Sequence, residues 1–232
     1  MNIKPPNIAI CGPSGFGKST SLRNLDPETT AILNTERKQL PFRGASKFKV
    51  VQIGTNHPAD PSALARKNAS ALNIAQWTKA WAGARANKDI KTIVLESATS
   101  LIEMIKTYSE CHFTNYDIWN NYNKMIFDVL MEAKSCDQTV IFISIEDTVY
   151  INDTAERRMY CQGGALKGKL EKEFEIVLWS NILRGEEGNQ FVFQTISDGE
   201  RPAKAPMEMF EDTFIPNDVQ HVLETVHAYY AE

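Results

Sequence analysis

The residues Gly12-Pro13-Ser14-Gly15-Phe16-Gly17-Lys18-Ser19 match GxxxxGK[ST] at every fixed position. Glycines at 12, 15 and 17 let the backbone fold into a concave nest whose N–H groups converge on phosphate oxygens. A helix opening near Lys18 would add its positive end to that nest. The Lys18 ammonium reaches β- and γ-phosphates in such loops, the Ser19 hydroxyl ligates Mg²⁺, and Thr20 faces the α-phosphate. The pattern predicts a nucleotide site with ATP and Mg²⁺ as its ligands.

Two carboxylates complete the candidate chemistry. Glu96 follows the apolar run 91–95, where a metal-water-holding carboxylate is expected. Most loops of this class pair with Asp there, and Glu is one methylene longer, so slow turnover is one expectation. The other reading is a carboxylate that merely ends a strand. Glu36 follows the run 30–35 and is placed to orient an attacking water as general base. A solvated charge in the loop Glu36-Arg37-Lys38 is the alternative.

The elements that must carry these residues alternate strand with helix, the pattern of a parallel sheet covered on both faces. Residues 7–11 read as a buried strand entering the Gly-rich loop, and the following helix stops near Asp26–Pro27. Strands are expected at 30–35, 48–53, 91–95 and 139–145, and helices at 72–86, about 100–111 and 124–136. An aromatic, Asn-rich stretch at 112–123 leads into the last of these helices, and a long polar segment is expected at 146–169. Residues 174–179 and 190–196, about a turn at Gly185–Gly188, read as an antiparallel hairpin. A tail helix is expected over about 217–230. No linker divides the chain, so residues 1–232 read as one domain.

Composition sets the outer bounds. The 232 residues carry 25 Lys+Arg and 29 Asp+Glu, a formal charge of −4, with 43% hydrophobic residues. That excludes a wholly basic nucleic-acid binder and global disorder, but not a local basic groove. Cys11, Cys111, Cys136 and Cys161 form no CxxC pair, so neither zinc nor a disulfide framework is suggested. No signal peptide or membrane-length apolar run is apparent, and a cytoplasmic protein without membrane contact is expected.

The order of these motifs resembles RecA. It runs from the phosphate loop through strands ending in Glu36 (AILNTE) and Glu96-Ser97 (TIVLES) to the strand VIFISI and a loop with Gly163-Gly164-Ala165-Leu166-Lys167. The chain is most similar to the small bacteriophage RecA-like ATPases that promote single-strand annealing, over roughly residues 7–230. The resemblance implies an α/β, RecA-like P-loop NTPase core: a mostly parallel twisted sheet with helices on both faces and an antiparallel C-terminal hairpin. It implies that Glu36 is the catalytic glutamate and that Glu96 stands for the usual metal-site aspartate. Ser144 or Ile145 occupies the place of a polar γ-phosphate sensor; neither suits it well, and Glu146 is the substitute.

The resemblance further implies single-stranded DNA as partner, a homo-oligomeric ring or filament, and a single-strand-binding protein as helper, in the host cytoplasm if the chain is phage-encoded. Residues 155–172 carry a local charge of +3, with Arg157, Arg158, Lys167 and Lys169 as DNA-binding candidates. Phe113, Tyr116, Trp119 and Tyr122 suit base stacking or, equally, hydrophobic cover for the sheet. Arg201 and Lys204 are candidates for contacts into a neighbouring subunit's site. Two other readings remain: a nucleotide-dependent switch binding a protein without DNA, and a small-molecule kinase with Arg157–Arg158 in a lid. The long β-rich C-terminal half speaks against the kinase.

Overall fold

The structure is a computed structural model and describes residues 4–56, 62–151, 153–185 and 188–231. Its centre is a sheet of eight strands: β1 (Ile8–Cys11), β2 (Thr30–Asn34), β3 (Lys49–Gln52), β4 (Thr92–Glu96), β5 (Thr139–Ile143), β8 (Ile176–Gly185), β9 (Gly188–Gln194) and β10 (Phe214–Pro216). Their spatial order is β10-β9-β8-β1-β5-β4-β2-β3. The six from β8 to β3 run parallel, and β9 and β10 add antiparallel at one edge. The fold class is the expected one, and residues 174–196 contain the expected hairpin.

The strands next to β1 are apolar on both faces, as strands covered on both sides must be. Ile8 and Ile10 of β1, Ile141 and Ile143 of β5, and Ile176 and Leu178 of β8 point to one layer. Leu22, Leu25 and helix α4 (Val219–Ala231) close that layer through Val219, Val222, Leu223 and Val226. Ala9, Cys11, Val140, Phe142, Val177 and Trp179 point to the other, beneath α1 (Ala63–Ala86), α2 (Ala98–His112) and α3 (Tyr116–Ser135). A period of two along each strand therefore yields two cores. Because β5 lies between β1 and β4, the carboxyl ends of all three open onto one edge of the sheet, where ligands of such sheets bind.

Several expectations are corrected. The helix expected at Lys18 is a single 3-10 turn, Thr20–Asn24. Three consecutive hydroxyl residues start the segment and Pro27 stops it. The Ser21 hydroxyl donates back to the Lys18 carbonyl at 2.5 Å, competing with helical pairing. The phosphate loop therefore has no long helix dipole behind it. α1 begins nine residues earlier than predicted, because its Ala-rich first half favours helix and Ser62 caps it, accepting from the Ala65 N–H. All four cysteines are free thiols.

The stretch 112–123 is mostly helical. α3 starts at Tyr116, and Trp119, Tyr122 and Ile126 extend the helical apolar face that leads to Leu130 and Ala133. The segment 146–169 opens with a separate antiparallel hairpin, β6 (Glu146–Ile151) and β7 (Thr154–Met159). Its return, 160–169, is pinned to α3. Fully buried Tyr122 accepts from the Gln162 N–H at 3.0 Å and lies 3.2 Å from the Cys161 sulfur. Gly163, at φ +80°, lies so close to the Trp119 ring that a Cβ there would stand 2.7 Å from it, so only glycine fits.

Tyr122→Phe keeps the packing but strands the Gln162 N–H in a buried place. The expected cost is about 1–3 kcal/mol, read from urea unfolding; an unchanged midpoint would show that Tyr122 does not hold this loop.

Candidate nucleotide-binding site

The loop between β1 and the 3-10 turn forms the nest that the motif predicts. Gly12, Gly15 and Gly17 all have positive φ. At Gly17 the requirement is doubled, because φ is +83° and a Cβ would come within 3.1 Å of both Asn217 and Phe191. Lys18 is 9% exposed and folds back over the loop, donating to the carbonyls of Gly12 (2.8 Å) and Pro13 (2.7 Å). Burial lowers its pKa, and nearby Glu96 opposes that shift. A phosphate entering the nest offers this ammonium a charged acceptor in place of two neutral carbonyls.

Ser19 joins the two halves of the site. Its hydroxyl donates to Glu96 Oε1 at 2.6 Å, across the end of β5. Glu96 is 5% exposed, and its Oε2 is buried with no hydrogen-bond partner. Burial pushes its pKa up to about 7, with the Ser19 hydrogen bond pulling the other way. An orphaned carboxylate oxygen beside a serine hydroxyl suits a divalent cation that draws its other ligands from phosphate and water. Among the described residues no group of three His, Cys, Asp or Glu side chains could hold a metal without such help. The fit is therefore to Mg²⁺ carried by a nucleotide, with Ser19 and Glu96 as the protein's contribution.

Glu36 is positioned by residues that the sequence reading passed over. Buried Asn34 brackets the turn that carries it: Oδ1 accepts from the Arg37 N–H at 2.8 Å, and Nδ2 donates to the Lys38 carbonyl at 2.7 Å. Thr35 ties this strand end to that of β4. Its N–H donates to the Glu96 carbonyl (2.7 Å), its hydroxyl donates to the Ser97 carbonyl (2.7 Å), and the hydroxyl oxygen accepts from the Ser97 N–H (3.0 Å). Both carboxylates are thus locked in relative register. The only signal in the sequence was a polar Asn-Thr pair closing an apolar strand. Lys38 makes a 3.2 Å ion pair with Glu36.

The cleft at this edge measures about 610 Å³, and Lys18, Ser19, Glu36, Glu96, Ser144 and Phe191 line it. Ser144 is fully buried and hydrogen-bonded to the Thr99 hydroxyl at 3.1 Å; it lines the cleft, as does Ile145. Phe191, Pro216 and Asn217 wall the cleft beside Gly17, and the Phe191 ring and Pro216 are its apolar part, of the kind on which a nucleobase can stack. Sequence reasoning missed these three, since the pairing of β8 with β1, of β9 with β8 and of β10 with β9 brings them to the loop.

The other predicted residues lie elsewhere. Arg157 on β7 pairs with Glu200 (3.0 Å) and Glu146 (3.6 Å), Arg158 with Glu156, and Lys167 with Asp147 (3.0 Å). Lys169 is exposed and has no ion pair among the described residues. Arg201 reaches Glu146 (3.8 Å) and Asp198 (3.3 Å), while the Lys204 backbone bridges to Val177 of β8. Glu146 itself accepts from the Trp179 indole at 2.8 Å, so it is a structural hub beside the β1–β8 pair.

A family model described as an AAA domain matches residues 4–207. The chain belongs to the AAA domain family. No curated protein matches it. Among solved structures, the KaiC-like protein PH0186 from the hyperthermophilic archaeon Pyrococcus horikoshii OT3 is 10% identical, at a TM-score of 0.48, over 82% of this chain and 78% of that one. Nothing about the site follows from so distant a likeness. Membership of an ATPase-type domain family agrees with the loop geometry: this AAA domain is a nucleotide-binding one. No helix among the described residues is long and apolar enough to cross a membrane.

The raised pKa of Glu96 has a definite sign. Its folded value, about 7, lies above the ordinary 4.5, so the folded chain holds an extra proton between those values and loses stability as pH rises through that window. Divalent binding needs the carboxylate. Mg²⁺-dependent nucleotide affinity should therefore rise by up to about tenfold per unit below pH ~7 and level off above it. Calorimetry across that range checks this, with Glu96→Gln expected to flatten the profile. Asn34→Ala should lower kcat about tenfold or more with nucleotide affinity nearly intact, because it loosens the Glu36 turn alone; steady-state kinetics with a binding titration would show otherwise if affinity fell instead.

Proposed function

We propose that this AAA domain hydrolyses ATP and couples hydrolysis to the handling of single-stranded DNA, promoting annealing or recombination in the manner of the bacteriophage RecA-like ATPases it resembles. The observation that carries the nucleotide part is the Ser19–Glu96 hydrogen bond with an orphaned Glu96 oxygen beside the Lys18 nest. Bound Mg²⁺ would neutralise charge on the phosphates and hold them in line for attack. Lys18 and the loop amides grip the phosphates. Glu36, at the cleft wall, takes a proton from a positioned water.

The DNA part rests on charge and placement. The β6–β7 hairpin and the 160–169 return carry Arg157, Lys167 and Lys169 at the surface and Arg158 mostly covered, with Tyr150 exposed nearby. Arg157 and Lys167 are over a third exposed, and the pairs they form with carboxylates are the kind that contribute ~0–1 kcal/mol. A nucleic-acid backbone can replace those carboxylates. The hairpin starts at Glu146, directly after the β5 end that lines the nucleotide cleft, which gives a short covalent route between the two surfaces. A ring or filament of copies, with Arg201 and Lys204 turned toward a neighbour and a single-strand-binding protein as helper, belongs to the same reading. A switch that binds ATP and a protein partner without DNA is favoured by one observation, that three of the four candidate cations are already paired within the chain.

Lys18→Ala should abolish nucleotide binding or turnover. Glu36→Gln should leave ATP bound while cutting hydrolysis by about 10²–10⁴; normal turnover in that variant, with loss in Glu96→Gln, would reverse the two roles. Reversing the charge at 157, 158, 167 and 169 together should weaken oligonucleotide binding by about a hundredfold or more with ATP binding intact. Salt-insensitive or absent binding by the parent protein in every nucleotide state selects the switch.

A further inference from the structure

A second cavity, of about 450 Å³, lies on the far side of Glu36 between α1, α2 and the carboxyl ends of β2 and β3. That volume is within the ~300–1,000 Å³ typical of small-ligand sites. Glu36 and Lys38 line both this cavity and the nucleotide cleft, so the ion pair they form is the wall between the two.

The cavity is polar and its walls are braced. Asn56 donates through its N–H and Nδ2 to Asn73 Oδ1 at 2.9 and 3.0 Å, and Asn73 Nδ2 donates back to the Asn56 carbonyl at 3.1 Å. Gln76 Oε1 accepts from the Gly54 N–H at 3.1 Å, which fixes the chain after β3 onto α1. Three cations, Arg37, Lys38 and Arg66, face two carboxylates, Glu36 and Glu103. Glu103 accepts from the Tyr160 hydroxyl at 3.3 Å, and Glu36 is taken by Lys38. Neither Arg37 nor Arg66 has an ion pair or a side-chain hydrogen bond among the described residues. Two guanidinium groups with no such partner among the described residues, whose planar forks match phosphate oxygens, therefore border one braced cavity.

We propose that this second cavity binds a phosphate-bearing anion through Arg37 and Arg66, and that the bound anion draws Lys38 away from Glu36 and so releases the general base. The Lys38 side chain is 79% exposed against 27% for Glu36, so the lysine is the mobile partner and can turn to either cavity. While Lys38 holds it, Glu36 has a cation competing with the water proton; once released, its carboxylate is free to accept that proton. The proposal rests on the reading of Glu36 as base, and it turns hydrolysis into a response to the second ligand. The phosphate can come from a single-stranded nucleic acid or from a free anion.

Two measurements test it. In Lys18→Ala protein, whose phosphate loop is disabled, calorimetry with inorganic phosphate and anisotropy with a labelled oligothymidylate read binding outside the nucleotide site. Arg66→Glu in that background should weaken the anion that binds by about tenfold, the scale of one charge-assisted contact. Loss of phosphate binding identifies a free-anion site, and loss of oligothymidylate binding a strand site. In the Lys18 protein, a coupled assay for ADP release should show faster hydrolysis with that anion. Arg66→Glu should keep the basal rate and lose the response, and Lys38→Met should raise the basal rate and no longer respond. Arg66→Gln and circular dichroism guard against a folding defect. Equal binding of both anions with and without Arg66, or a Lys38→Met rate no higher than the parent's, overturns the proposal. Absence of all Lys18-dependent hydrolysis instead defeats the ATPase reading, and the binding arm then decides the cavity by itself.

Discussion

The hydrogen bond from Ser19 to Glu96 is the interaction on which the site depends. It spans the width of β5, and it forms only because β4 and β1 present their carboxyl ends at the same height. A carboxylate at 5% exposure is costly to bury. Burial raises the Glu96 pKa to about 7, so the carboxyl holds its proton well above the ordinary carboxylate range, and the serine satisfies one of its oxygens. The second oxygen has no partner, which leaves the site short of one positive ligand. The protein thus holds a small electrostatic deficit at the position where a cation accompanying a triphosphate would sit.

Around that bond, this edge of the sheet is built by strand-end hydrogen bonds rather than by loops free to move. Thr35 stitches β2 to the Glu96–Ser97 junction, and Asn34 closes the turn beyond it. These buried polar groups are satisfied by backbone, so they add rigidity without leaving unpaired donors. With only a 3-10 turn after the phosphate loop, Lys18 and the loop amides are the groups the chain offers an anion there. Phe191 and Asn217 pack closely against Gly17 and brace the loop from outside.

The hairpin and its return form a second unit beside the central sheet. They are tied to α3 by Tyr122 and Trp119 and to the β1–β8 pair by Glu146 and Trp179. The aromatic residues that invite a reading as a stacking surface divide by position. Tyr122 is core, Trp119 is a platform for Gly163, and Tyr116 is exposed. Alternation of polar and apolar residues alone could not separate these fates, because a helical face and an aromatic loop share the same composition.

The sequence alone determined the phosphate loop, the parallel core and both carboxylates, since each is written in local spacing: glycines for positive φ, β-branched runs for buried strands, and an acid at each strand end. It also indicated the C-terminal hairpin. It did not determine the length of the turn after Lys18, the helical state of 116–123, the β6–β7 hairpin, or the roles of Asn34, Thr35, Phe191 and Asn217. Some depend on partners far off in sequence, as Thr35 does on Ser97 and Tyr122 on Gln162, and others on competition between side-chain and backbone hydrogen bonds, as at Ser21 and Asn34. Only the packing of the whole chain decides them, because a residue's energy there is set by what the fold brings to it and not by its neighbours in sequence.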